Sequence, residues 1–178
     1  MSKIIVTEFV SLDGVAQDPQ NWSLSYWNDK IEKYKYDEMA ATGALLIGRK
    51  TYEVFAGAWP SRTGNFADRF NSLPKLVASR TLKNLAWGPS KLMAEPMEDA
   101  VTKAKATVKG AIYIHGSLAL SQALSKVGLI DEYHLLTYPV VLGEGRRLFG
   151  EMQKAELELL SLEDFGSGVV AQKYRVKR

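Results

Sequence analysis

Three short segments of the sequence are rich in glycine, hydroxyl or cationic residues, and each directly follows an apolar, β-branched stretch. They are Gly48-Arg49-Lys50-Thr51, Ser79-Arg80-Thr81 (after Ala78) and His115-Gly116-Ser117-Leu118. Glycine lets a ligand approach the backbone, helix starts present free N–H groups, and guanidinium and hydroxyl groups bind phosphate oxygens. Each segment is therefore a candidate phosphate site, and the third suits a pyrophosphate lying against backbone amides.

Each segment also has an ordinary structural interpretation. Cations after a strand are often simply solvated, Ser and Thr are common in turns, and Ser117 could cap its own helix. His115 closes a predicted strand. That position is more typical of a histidine with satisfied hydrogen bonds than of a base.

The elements that must position these segments are strands and helices, which the spacing of the apolar residues distinguishes. Strand-like stretches alternate with helical ones up to about residue 127, and strands follow, with Gly166-Ser167-Gly168 as a hairpin turn. The predicted strands cover 3–10, 44–48, 76–79, 91–94, 111–115, 132–141, 157–165 and 169–176; the predicted helices cover 28–42, 49–55, 67–72, 98–108 and 117–127. Gly43 fits the C′ position of the first helix.

This order predicts an α/β fold in a single domain over residues 1–178. Repeated strand–helix crossovers give a mixed, mostly parallel sheet with helices on both faces, and the last two strands add an antiparallel hairpin. Ligands of such sheets bind outside the carboxyl ends of the strands. All three candidate segments fit that geometry.

Composition excludes several classes of function. Among 178 residues there is no cysteine, which excludes disulfides and thiolate sites, and two histidines make a transition-metal site improbable, so we expect no metal. The net charge of +3 comes from scattered cations, so we expect no nucleic-acid partner. No apolar run approaches the about 18–20 residues of a membrane span, and no signal peptide precedes the first strand, so we expect a cytoplasmic protein without membrane contact.

Other familiar motifs are incomplete. The segment after the first strand, Ser11-Leu12-Asp13-Gly14, has one glycine where a Rossmann fingerprint needs several, and Gly143-Glu144-Gly145 matches only the start of one. His134 lies inside a predicted strand, which favours packing over catalysis.

Taken together, the segments resemble the dihydrofolate reductase family, and most closely the branch shared with the reductase domain of bifunctional riboflavin-biosynthesis proteins. The order and spacing of several segments carry the resemblance nearly end to end: 9–15, 46–53, 77–81, 112–117, 130–133 and 139–145. The resemblance implies a dihydrofolate reductase-like three-layer sandwich and a homodimer. The apolar run at 138–142 could serve the dimer or belong to the core.

The resemblance also implies NADPH lying across the sheet. The Gly48-Arg49-Lys50-Thr51 segment would hold phosphates, Ser79-Arg80-Thr81 would bind the adenosine 2′-phosphate, and His115-Gly116-Ser117-Leu118 would bind the pyrophosphate. Val15 and Ala16, in the loop after the first strand, would lie near the nicotinamide. Cations favour NADP over NAD, because a free 2′-hydroxyl is usually bound by a carboxylate.

The implied activity is a hydride transfer to a C=N or C=O bond of a small-molecule substrate, such as a ribosylaminopyrimidine or a pterin. Members of the family carry a carboxylate on the first helix, which makes Asp29 and Glu32 candidate proton donors. Asp13 is a third candidate, although a turn aspartate bonding its own backbone is equally compatible. The alternative function is a non-catalytic NADP(H)-binding domain that serves as a sensory or interaction module.

Overall fold

A mixed sheet forms the centre of the chain in a computed structural model, which describes residues 1–93, 96–150 and 154–178. The strands are β1 Ile4–Ser11, β2 Thr42–Gly48, β3 Lys75–Ala78, β4 Ser90–Met93, β5 Ala111–His115, β6 Glu132–Tyr138, β7 Leu157–Asp164 and β8 Val170–Val176. Their order in the sheet is β4-β3-β2-β5-β1-β6-β8-β7. Neighbours from β4 to β6 are parallel, and β8 pairs antiparallel with both β6 and β7.

Helices cover both faces of the sheet because successive strand residues point to opposite sides. The helices are α1 Asp29–Ala41, α2 Arg49–Ala58, α3 Asn65–Ser72, α4 Met97–Thr107 and α5 Leu118–Lys126. One core contains Val6 and Ile114 with residues of α4 and α5, and the other contains Ile5 and Tyr113 with residues of α1, α2 and α3. This arrangement is the predicted three-layer α/β sandwich.

The predicted elements are confirmed with small shifts at their ends. β5 has the predicted bounds, whereas β6 ends at Tyr138 instead of 141 because Pro139 has no N–H to continue the ladder. Residue 94, in the predicted strand 91–94, lies outside the described residues. None of the helices in the described ranges is long and apolar enough to cross a membrane.

Gly43 corrects one prediction about the end of α1. It is not among the residues of positive φ that a left-handed cap requires, and it lies in β2 where the register with β5 shifts. A Cβ atom at Gly43 would lie 2.0 Å from the carbonyl oxygen of Lys109. The position therefore requires glycine because another backbone segment passes against it.

Candidate functional site

Two of the three candidate phosphate segments contact each other at the carboxyl ends of β2 and β5. The Gly48 N–H donates to the Ser117 hydroxyl oxygen over 2.9 Å, and the Ser117 hydroxyl donates to Thr51 Oγ1 over 2.8 Å. Ser117 makes no side-chain hydrogen bond to cap its own helix. The interpretation of Ser117 as a plain cap is therefore wrong.

The turn that carries Ser117 brings bare backbone to this edge. Gly116 has φ +63° and Ser117 has φ +59°, both in the left-handed region, and a Cβ on Gly116 would lie 3.4 Å from Thr51 Cγ2. Helices α2 and α5 begin here, so their first N–H groups and positive dipole ends point to the same edge. We call residues 48–51 and 116–118 the cradle. Leu118 is buried and can contribute its backbone only.

The third segment lies one strand further along the same edge, because β3 pairs with β2. The Ser79 hydroxyl accepts hydrogen bonds from the N–H groups of Thr81 at 3.2 Å and Leu82 at 2.9 Å, so it shapes its own turn. Arg80 is exposed, as are Arg49 and Lys50 beside the cradle. Three exposed cations thus lie near neighbouring strand ends.

Asp13 braces the loop after β1. Its carboxylate accepts hydrogen bonds from Ser11 Oγ at 2.7 Å and from the N–H groups of Leu142 at 3.1 Å and Gly143 at 2.9 Å. These hydrogen bonds lower the pKa of Asp13 to about 2. Asp13 is therefore ionised at neutral pH, and its backbone hydrogen bonds reach residues 142 and 143 and not only its own turn, which was the turn-aspartate interpretation.

Val15 and Ala16 fix the same loop from its other end. Both are buried, and Ala16 N–H donates to the Arg146 carbonyl over 2.9 Å. Val15 pairs with Arg147 in an isolated antiparallel bridge. Residues 13–16 of the loop are thus attached to residues 142–147.

Asp29 and Glu32 lie in the first turn of α1, and both are exposed. Glu32 lines an open cavity with Trp59 and Arg62, between α1 and the segment that precedes α3. In the described part of the chain, no hydrogen bond connects either carboxylate to the cradle or to Asp13.

A buried ionic network that the sequence did not reveal lies between α1 and the sheet. Lys35 Nζ donates to Glu38 Oε2 at 2.5 Å and to Thr7 Oγ1 at 2.9 Å, and Thr7 Oγ1 donates to both oxygens of Glu38. His134 Nδ1 lies 3.0 Å from Glu38 Oε1. These four residues, on α1, β1 and β6, are each at most 7% exposed.

The network continues to the surface. His134 Nε2 lies 3.2 Å from Glu132 Oε2, and Lys3 Nζ, on a half-exposed side chain, lies 2.6 Å from Glu132 Oε1. Burial alone would raise the pKa of Glu38, but the Lys35 ammonium and the hydrogen bond from His134 outweigh it and hold that pKa well below its usual range. Glu38 is therefore a buried anion.

The signal that could have found this network is a charge pattern on α1. Its buried face consists of Ile31, Tyr34, Lys35, Glu38 and Met39, so a lysine and a glutamate occupy core positions three residues apart. Lys and Glu are almost never buried unless they are paired. That pattern was available from the helical period.

Two further buried polar atoms, one on β1 and one at the end of β5, have no hydrogen-bond partner among the described residues. Glu8 Oε1 and His115 Nε2 are buried, and neither has a hydrogen-bond partner in the described part of the chain. Burial raises the pKa of Glu8 to about 8, although Lys35 and the Gly116 amide oppose the shift. Burial, with Lys35 adding to it, lowers the pKa of His115 to about 3. The expectation that His115 is satisfied is wrong for Nε2.

Within the described ranges, no group of three or more His, Cys, Asp or Glu side chains is arranged to hold a metal ion. The arrangement at this edge of the sheet is instead a backbone cradle, nearby cations and a buried ammonium.

Known proteins resemble this chain in both sequence and fold. The model of the RibD C-terminal domain family matches residues 2–171. The protein YyaP of Bacillus subtilis (strain 168) is 27% identical over 174 residues, which cover 94% of this chain and 92% of that protein. A crystal structure from Shewanella sp. PV-4, provisionally named a riboflavin biosynthesis protein, has 25% identity and a TM-score of 0.81, with 99% of both chains covered.

Two more distant solved structures share the fold. A diaminohydroxyphosphoribosylaminopyrimidine deaminase/5-amino-6-(5-phosphoribosylamino)uracil reductase from Thermotoga maritima has a TM-score of 0.70 at 12% identity, with 99% of this chain and 57% of that one covered. Dihydrofolate reductase from Enterococcus faecalis, complexed with NADP(H), has a TM-score of 0.66 at 13% identity, with 99% and 97% covered. The fold is that of the dihydrofolate reductase-like reductases.

Proposed function

Because the chain belongs to the RibD C-terminal domain family, we propose that it is an NADPH-dependent reductase that acts on a C=N or C=O bond of a small heterocycle. Ribosylaminopyrimidines and pterins are the substrate classes we favour. The observation that carries the proposal is the Ser117 hydroxyl, which joins the turns after β2 and β5 into one cradle. Its geometry suits a phosphorylated ligand at the edge where α/β sheets bind ligands.

The residues present fit NADPH. The cradle would hold the pyrophosphate through the backbone of residues 116–118 and the first turn of α2, and a side chain at position 116 would meet Thr51 and close the approach. Arg80, one strand away, would pair with the adenosine 2′-phosphate through its planar fork. Val15 and Ala16, fixed at the base of the loop after β1, would lie beside the nicotinamide.

When bound, NADPH would supply the hydride. The chain's own contribution is to hold the reacting rings in line, to exclude water and to provide a proton. Asp13 and Ala16 hold the start of the loop after β1 against residues 142–146. Held there, the loop would cover the nicotinamide ring. Asp29 and Glu32 remain proposed proton donors, but both are open to solvent.

The proposed function is tested by titrating NADPH while following tryptophan fluorescence, and then by following its oxidation at the nicotinamide absorbance with pterins, pyrimidines and aldehydes as acceptors. We expect binding and turnover of at least one acceptor class. Binding without turnover would favour a non-catalytic NADP(H)-binding module, and a lack of binding would contradict both functions.

Arg80→Ala is expected to weaken NADPH binding by about 10-fold or more and to leave NADH binding nearly unchanged. It removes a charged contact, worth roughly 1.5–3 kcal/mol, to the one group that the two cofactors do not share. The dissociation constants of both cofactors are measured by fluorescence titration.

Lys103→Ala is the matched control for this experiment. Lys103 is an exposed cation on α4, a helix whose C-terminal turn contacts Ser2 near the amino end of β1, so the change in net charge is the same but lies at the opposite edge of the sheet. Equal losses of affinity for both cofactors in the Arg80 variant would show that Arg80 does not bind the 2′-phosphate.

We also propose that the protein forms a homodimer. Tyr138 of the apolar run 138–142 is fully buried, so that run is partly core. β7 is an edge strand and exposes Leu159 and Leu162 by 51% and 58%. Light scattering should give a mass near twice 19.8 kDa, and Leu162→Glu should shift it toward the monomer; a wild-type mass of 19.8 kDa would contradict the dimer.

A further inference from the structure

We propose that Lys35 donates the proton that the reduction requires, with Glu38 and His134 as positioning residues. The inference rests on the proposed function and deepens it, because the carboxylates of α1 and of the first loop are exposed or engaged elsewhere. The buried network and the unpartnered His115 Nε2 carry the proposal.

The network fixes Lys35 as a charged donor in a buried position. An ammonium group has three N–H donors. In the described part of the chain, two of these N–H groups have acceptors: Glu38 Oε2 at 2.5 Å and Thr7 Oγ1 at 2.9 Å. Nζ also lies 5.5 Å from the centroid of the half-buried Phe9 ring. One N–H therefore remains for a ligand.

The sheet register places this ammonium at the ligand-binding edge. Thr7, which accepts from Lys35, is the register partner of His115 in the parallel pair β1–β5. His115 immediately precedes Gly116 of the cradle. The buried atom His115 Nε2 therefore lies at the carboxyl end of β5, without a partner in the described residues.

Unpartnered buried polar atoms are costly and call for an explanation. A heterocycle bound here would supply one for His115, because its polar ring atoms can pair with Nε2 while a ring nitrogen or exocyclic oxygen accepts from Lys35. A cationic donor requires a lone pair on the substrate. The site thus suits a neutral or anionic heterocycle with an oxygen or nitrogen acceptor, and it disfavours a protonated one.

The proposed step balances in atoms and electrons. The π bond of the substrate C=N or C=O breaks as hydride from NADPH adds to its carbon, and Lys35 Nζ transfers one proton to the nitrogen or oxygen. The substrate gains two electrons, NADPH becomes NADP⁺, and Lys35 becomes a neutral amine. Loss of this positive charge raises the proton affinity of Glu38, so a proton from solvent can return through Glu132, His134 and Glu38.

The test compares Lys35→Met with Lys35→Arg, using Lys33→Met, at an exposed lysine of the same helix, as the matched control. We expect both Lys35 variants to bind NADPH within about 2-fold of wild type and to lose about 100-fold or more in turnover, the usual size of a lost acid–base group. Arginine preserves the charge and the ion pair but does not release a proton. Recovery of turnover in Lys35→Arg would therefore overturn the proposal, as would an equal loss in Lys33→Met.

The split between kcat and KM separates positioning from structure. His134→Gln should lower kcat without changing NADPH affinity or the KM of the substrate, because it releases Glu38, which holds Lys35. A kcat that is unchanged in His134→Gln would remove His134 from the proposal.

A third readout needs no substrate. The Lys35 ammonium should give a slowly exchanging ¹⁵N resonance at neutral pH, identified by its loss in Lys35→Arg, and NADP⁺ should shift it. NADP⁺ binding with an unchanged resonance overturns this inference alone. Failure of the protein to bind NADPH or NADP⁺ overturns the proposed function, and this inference with it.

Discussion

Replacing Gly43 with alanine is expected to lower the free energy of unfolding by about 3 kcal/mol or more, at the upper end of overpacking costs. The new Cβ would lie 2.0 Å from the Lys109 carbonyl oxygen, and a backbone atom cannot rotate away as a flexible side chain can. β2 and β5 would have to separate where their register shifts. Thermal unfolding should show a midpoint lower by about 6–12 °C for a domain of this size.

Gly57→Ala is the matched control. Gly57 lies inside α2, and a Cβ there meets nothing within 4 Å. Alanine in a helix is favoured over glycine by about 0.5–1 kcal/mol, so this variant should be at least as stable as wild type. A Gly43→Ala variant as stable as Gly57→Ala would show that the Lys109 segment does not approach β2 so closely.

Glu38→Gln is expected to lower the free energy of unfolding by about 3–5 kcal/mol, because it leaves the Lys35 ammonium buried without its counter-charge. The double variant Lys35→Met, Glu38→Leu removes both charges and should be more stable than Glu38→Gln. Urea denaturation measures both. A double variant that is less stable than the single one would show that the pair itself stabilises the fold beyond mutual neutralisation.

Glu38 makes the stability of the fold depend on pH on the acidic side. Its folded pKa lies below the unfolded value of 4.5, so its contribution is present above pH 4.5 and is lost as the pH falls toward the folded pKa. Wild-type stability should therefore decline below about pH 4.5, and Glu38→Gln should decline less. Glu8 has the opposite sign: its folded pKa is about 8, so it reduces stability progressively as the pH rises from 4.5 to 8.

The sequence predicted those parts of the fold and site that depend on neighbours along the chain. The apolar run at 111–115 gave β5 with correct bounds. The segments after β2 and β5 were predicted separately, and their contact through Ser117 was not predicted. The partners of Lys35 could not be predicted in the same way. Thr7 reaches Lys35 from β1, and His134 reaches its partner Glu38 from β6. Only the assembled sheet places those residues under α1.

Gly43 shows the same limit for a single residue. The local pattern indicated a helix cap, because glycine commonly follows a helix. The actual reason for glycine is Lys109, which lies more than sixty positions away along the chain. Likewise, the role of Ser117 became visible only when β2 and β5 were seen side by side.

The Ser117 hydroxyl has a thermodynamic consequence. Since one hydroxyl is bonded to both the Gly48 amide and Thr51, displacement of either turn breaks a contact of the other. Ordering one turn therefore pays part of the entropic cost of ordering its neighbour, as in any pair of coupled local equilibria. A ligand that spans both turns would therefore bind more tightly than the sum of its halves, and fragments of the proposed dinucleotide would understate the affinity of the intact molecule.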